Sequence, residues 1–128
     1  MPHRSRLSTF VLDCKVADLD AATAFWAQAL GRTSTPSPDG DTKYQVLSGT
    51  GAEPILLTQS VDHDSRIHLD IEADNQEAEV RRLEALGARR IAWVKNWFVM
   101  EAPTGHRFCV VKPQRGPLEE KKNANDWP

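Results

Sequence analysis

Residues 67–72 alternate strictly: Ile67, Leu69 and Ile71 fall on one side, His68, Asp70 and Glu72 on the other. A period of two predicts a strand with one apolar, core-facing side and one polar side. Asp74 follows as a helix N-cap, with Glu77 three residues on to complete a capping box. Gly87 is the expected C-terminal stop. The same layout occurs 56 residues earlier, where Leu12 to Gly31 overlays His68 to Gly87. Ala17/Ala73, Asp18/Asp74, Ala22/Ala78, Ala29/Ala85, Leu30/Leu86 and Gly31/Gly87 are identical. These identities fall on caps and helix ends, where backbone geometry restricts the residue, so the chain reads as a duplication.

The remaining segments fit two copies of one unit. Residues 1–8 are polar and read as loose. Thr9 to Val16 is the first strand, and Asp18 caps a helix with Leu19, Ala22, Trp26, Ala29 and Leu30 as its apolar stripe, which Phe25 widens. Pro36, Pro38 and Gly40 break up the next stretch, where a short strand begins near Arg32. Lys43 to Ser48 and Pro54 to Gln59 are strands, joined by a turn at Gly49-Thr50-Gly51. Ser60 to Arg66 connects the halves, with Asp62-His63-Asp64 as a solvated turn. The second half gives strands at Arg89 to Lys95, Asn96 to Glu101 and Arg107 to Lys112, with a turn at Pro103-Thr104-Gly105. Residues 114–128 read as a tail on the surface, its end pinned by Trp127.

At 128 residues the chain is one domain, large enough for a core without staples. A net charge of −2 gives no reason to expect nucleic acid. No apolar run reaches 18 residues, so no membrane span is expected. The basic N-terminus lacks an apolar segment behind it, which argues against a signal peptide. Two cysteines, Cys14 and Cys109, with no export signal, read as reduced thiols of a cytoplasmic protein.

The tandem βαβββ order resembles the vicinal oxygen chelate superfamily, which includes glyoxalase I, the bleomycin- and fosfomycin-resistance proteins and the extradiol dioxygenases. The residues that carry the resemblance are Phe25-Trp26 with Leu30-Gly31, His68-Leu69-Asp70, Leu83 to Arg89, Trp97 to Met100, Pro103 with Gly105, and Phe108 to Val111. It implies an α+β fold in which tandem βαβββ modules, about 9–60 and 66–113 of a domain at 9–113, form a curved mixed-sheet cup with helices on the convex face. It also implies a small-molecule ligand in the cup and a homodimer.

Metal-dependent members of that superfamily take ligands from the first strand of each module and the last strand of the second, commonly two histidines and a glutamate. Carried over by position, the ligands would be His68, then Leu12 in the first module, then Cys109 in the last strand. Only His68 matches, so no metal is expected. The candidates for one are His68, Cys109 and Glu101, with Asp70 and Cys14 as possible substitutes, and a divalent ion remains open. The turn is Ala102-Pro103-Thr104-Gly105-His106, without the Asp and Asn common in the family, and His106 reads as a solvated loop residue.

His68 is the candidate catalytic residue, because an imidazole in a pocket suits proton transfer near neutral pH. His68, Asp70, Tyr44, Trp93, Trp97, Cys109 and Leu12 are the expected ligand contacts. Trp97 and Phe98 are strand neighbours and cannot both face in. One or two aromatic walls suit a planar or partly apolar molecule. The functional expectation is a glyoxalase-like protein binding such a molecule, with metal-free or weakly metal-dependent lyase or isomerase chemistry. The alternatives are a non-catalytic sequestering protein of the bleomycin-resistance kind and a metal-dependent glyoxalase or dioxygenase.

Overall fold

The computed structural model describes residues 1–49, 53–119 and 122–128. Two compact units are present: Thr9–His68, and Leu69–Pro128 together with Met1–Ser8. The strands β1 (His3–Cys14) and β5 (Arg66–Ala73) each run from one unit into the other.

In the unit Thr9–His68, the second half of β1 leads into α1 (Leu19–Leu30), β2 (Ser34–Pro36), β3 (Tyr44–Leu47) and β4 (Ile55–Ser60). The strand order is β2-β3-β4-β1. β1 runs parallel to β4, from Thr9↔Ile55 to Cys14↔Ser60, and the other pairs are antiparallel. Asp18 caps α1 as expected, accepting from the backbone N–H groups of Asp20 and Ala21. Gly31 ends it in the left-handed region at φ 66, where a residue with a Cβ is strained. The helix buries Leu19 and Thr23, whereas Phe25 and Leu30 of the expected stripe are exposed. Thr23 is buried because its hydroxyl hydrogen bonds that of Thr58 on β4 at 2.8 Å. Thr50 and Gly51 of the expected turn lie outside the described residues.

The second unit repeats the order: β5, α2 (Gln76–Ala85), β6 (Arg89–Val94), β7 (Trp97–Glu101) and β8 (Arg107–Val111). Its strand order, β5-β8-β7-β6, mirrors the first, with β5 and β8 parallel. α2 rests on β6, β7 and β8. Ala73, Val80, Met100 and Val110 form the core, with Leu83, Ala88, Phe98 and Phe108 packed against it. The cap of α2 is Asn75, which accepts from Ala78 N–H, and not Asp74. Asp74 instead accepts from Arg4 N–H at 2.7 Å, and Glu77 pairs with Arg81 and Arg90. The capping box is therefore absent, because both of its acids have cationic or N–H partners elsewhere.

Two sequence expectations fail at the chain ends. Residues 3–8 are strand, not loose chain, and the tail adds β9 (Asn125–Trp127), antiparallel to His3–Ser5 of β1. The cause is a buried polar cluster. Glu79 on α2 is fully buried, His3 Nε2 donates to it at 2.8 Å, and Arg82 grips it with Nε and Nη2 at 2.7 and 2.9 Å. The Arg82 guanidinium stacks on Trp127 at 3.8 Å, and Trp127 Nε1 donates to Ser5 Oγ at 2.8 Å. Burial pushes the Glu79 carboxyl up, but hydrogen bonds from Arg82, His3 and Ser5 outweigh it and hold the group below its ordinary value.

The polarity of β5 is also reversed. Ile67 and Leu69 are exposed, while Glu72 is fully buried and His68 partly so. Alternation gave the two faces of the strand correctly but not which one is covered. Of the three groups on the polar face, His68, Asp70 and Glu72, Glu72 takes Arg6 Nε at 2.7 Å and Gln114 N–H at 3.2 Å, and His68 meets Asp13. A buried polar group that is hydrogen-bonded avoids the desolvation cost that normally keeps it at the surface.

Candidate functional site

Asp13 is the centre of the site. It lies near the end of β1, with a side chain only 3% exposed. Its carboxylate meets three basic groups: His68 Nδ1 at 2.9 Å, His63 Nε2 at 3.8 Å and Arg66 Nε at 3.8 Å. A carboxylate can only accept, so His68 Nδ1 donates. A neutral ring then carries its lone pair on Nε2, the arrangement of an imidazole ready to take a proton. Asp13 holds both the tautomer and the ring orientation.

Sequence reasoning passed over Asp13. Its signal was a carboxylate one residue after Leu12 on a strand whose alternate position, Val11, is fully buried. His63, in the expected solvated turn and 37% exposed at its side chain, also lies beside this carboxylate. Its Nδ1 donates to the Asp64 carbonyl at 2.8 Å.

Cys14 is next on β1 and is buried, donating its S–H to the Leu12 carbonyl at 3.3 Å. Burial, then the charge of Asp13, push its thiol up, against a lowering hydrogen bond from the Gln59 backbone. Because thiolate is the reactive form, Cys14 is expected to stay unmodified by iodoacetamide at pH 8 under native conditions and to react fully after unfolding. Intact-mass analysis reads this directly.

The expected ligand contacts lie on β1, β3, β5, β6, β7 and β8. Tyr44 lines an open cavity of about 690 Å³ with Asp18, Asp20, Ser34, Thr35 and Ser60, and its hydroxyl accepts from Gln59 Nε2. This wall is rich in hydroxyls and carboxylates, not aromatic. Trp93 meets Phe98 edge-on at 4.6 Å, and the two are register partners on β6 and β7. Phe98 packs on the α2 core, so Trp93 belongs to that face, and Trp97 projects from the other. Leu12 is half-buried on β1.

Metal ligation can be tested on the donors present. His68 and Asp70 are two residues apart on β5, on one face, and Asp70 is the register partner of Cys109 on β8. One ligand atom from each lies within 4.8 Å of the others, a group able to hold a metal ion. The set is not two histidines and a glutamate: Leu12 offers no donor, and a thiol stands at the carboxylate position. Glu101 is engaged by Arg89 at 2.7 Å and Arg107 at 3.1 Å, and these hydrogen bonds, Arg89 first, hold its carboxyl below its ordinary value. One nitrogen, one oxygen and one sulfur donor suit a borderline-soft ion such as Zn²⁺ and not Mg²⁺ or Ca²⁺.

Two βαβββ halves with matching strand orders define an α+β protein of the vicinal oxygen chelate superfamily. The profile of the glyoxalase-like domain matches residues 9–111, and the chain belongs to that family. The fold is similar to that of methylmalonyl-CoA epimerase from Mycobacterium tuberculosis, at 19% identity over 84% of this chain and 87% of the other, with a TM-score of 0.57. It is similar to a hypothetical protein from Bacillus halodurans C-125, at 10% identity over 90% and 99%, with a TM-score of 0.59. It is also similar to a glyoxalase/bleomycin resistance protein/dioxygenase superfamily member from Vibrio splendidus 12B01, at 16% identity over 82% and 98%, with a TM-score of 0.50. No curated protein gives a significant match to the sequence. Among the described residues no helix is long and apolar enough to cross a membrane.

Proposed function

We propose that the protein binds a small, partly apolar or planar molecule beside β5 and moves a proton on it, with His68 as the base. The observation that carries this reading is the 2.9 Å contact of His68 Nδ1 with the buried Asp13 carboxylate. Asp13 fixes the ring, Nε2 receives the proton, and Asp13 stabilises the imidazolium that results. Chemistry of this kind, proton abstraction beside a carbonyl, is lyase or isomerase chemistry and runs through the protein's own groups. A homodimer and a cytoplasmic location belong to the same reading and rest on the family resemblance and the reduced thiols. Size-exclusion chromatography with light scattering tests the first.

A second reading is supported by His68, Asp70 and Cys109. In it the three residues hold a divalent ion, Asp13 orients His68 as a ligand, and the ion supplies Lewis acidity toward a substrate oxygen. Metal analysis of untagged protein separates the two. The acid–base reading expects less than 0.1 equivalent of any transition metal, on the order of adventitious loading. Stoichiometric zinc, iron, nickel or manganese that is lost in His68→Ala establishes the second reading. Ligand binding without any hydrogen exchange on the ligand identifies a sequestering protein instead.

A further inference from the structure

The groups around Asp13 carry more positive charge than the base needs. His63 Nδ1 donates to the Asp64 carbonyl, so the neutral ring has its lone pair on Nε2, where Arg66 Nη2 approaches at 3.4 Å. Arg66 therefore touches both His63 and Asp13. Lys15 is matched by Asp64 at 3.6 Å. The buried carboxylate of Asp13 is shared between the His68 N–H and the Arg66 Nε. Arg66 is about half-exposed, and its Nη1 meets no acceptor among the described residues. Arg66 and His68 stand two residues apart on β5, on the same face, roughly 7 Å apart along the strand. A half-exposed guanidinium braced on two sides loses little freedom when it grips a planar anion.

We infer that Arg66 is an anion-binding residue beside His68, and that the ligand is a small carboxylate whose charged end sits on Arg66 while its adjacent carbon faces the imidazole. This rests on the reading of His68 as the base. The carboxylate is chosen over a phosphate because a single planar guanidinium matches two coplanar oxygens, whereas a dianionic phosphate calls for more cations than this group provides.

The test uses full-length protein with ¹⁵N-labelled histidine. Three probes are titrated: malonate, its neutral isostere malonamide, and inorganic phosphate. Malonate is expected to shift the His68 ring signals and to bind at least about 10-fold tighter than malonamide, the worth of one charge-assisted hydrogen bond. Arg66→Gln is expected to remove that preference, and Arg66→Lys to restore part of it. Equal binding of malonate and malonamide, malonate binding unchanged in Arg66→Gln, or phosphate binding tighter than malonate would each overturn the inference. None of these outcomes alters the resting tautomer of His68, which reports separately on the base and on the integrity of the fold in each variant.

Discussion

Glu79→Ala should lose about 3–5 kcal/mol of stability, because it leaves the buried His3 and the partly buried Arg82 without their shared carboxylate. That is a large part of the 5–15 kcal/mol typical of a domain, and it corresponds to a drop of roughly 10–20 °C in Tm. The substitution also frees the Arg82 guanidinium from its position over Trp127, so β9 should detach from β1. Thermal unfolding by circular dichroism gives the first result, and hydrogen exchange at Ser5 and Trp127 gives the second. A loss below about 1 kcal/mol would show that the cluster is incidental, as most exposed ion pairs are.

The same group sets an acid limit. The folded Glu79 carboxyl lies below its unfolded value of about 4.3. A depressed carboxylate contributes stability that is fully present above the unfolded pKa and is lost as pH falls through the folded one. Stability should therefore decline below about pH 4.5, and Glu79→Gln should flatten that part of the profile. Urea midpoints between pH 3 and 7 measure it.

The second large effect concerns His68. In D₂O the wild-type protein should exchange the acidic C–H of at least one small carbonyl-bearing carboxylate, followed by proton NMR. His68→Gln should slow that exchange by about 10²–10⁴-fold, the usual contribution of a positioned general base. Asp13→Asn should slow it too, because an amide in place of the carboxylate no longer stabilises the imidazolium, while the Tm changes far less than in Glu79→Ala. Exchange that survives His68→Gln at the wild-type rate would remove the base from the account.

The caps of α1 and the strands of the duplication were legible because they follow local rules. Asp18 and Gly31 sit where their own backbone geometry requires them, and both βαβββ orders follow from period and turn residues. What stayed hidden depends on contacts distant in sequence. Nothing near His3 announces Glu79, 76 residues on, or the strand that Trp127 completes. Asn75 replaced Asp74 as the cap because Arg4 claims Asp74. On β5, alternation separated the apolar side from the polar one, but only Arg6, Gln114 and Asp13 decide that the polar side is the covered one. Strand position and the family resemblance are what single out His68 as a candidate. Its partner was not legible, because a single aspartate in a strand carries no pattern until its neighbours are known.

The central claim is that Asp13 holds His68 with its proton on Nδ1. Long-range ¹H–¹⁵N correlation of the imidazole rings at pH 7.5 and above tests it most directly. For His68 the account predicts a protonated Nδ1 and an unprotonated Nε2, with the preference lost in Asp13→Ala. A His68 ring carrying its proton on Nε2 in the wild-type protein would contradict it.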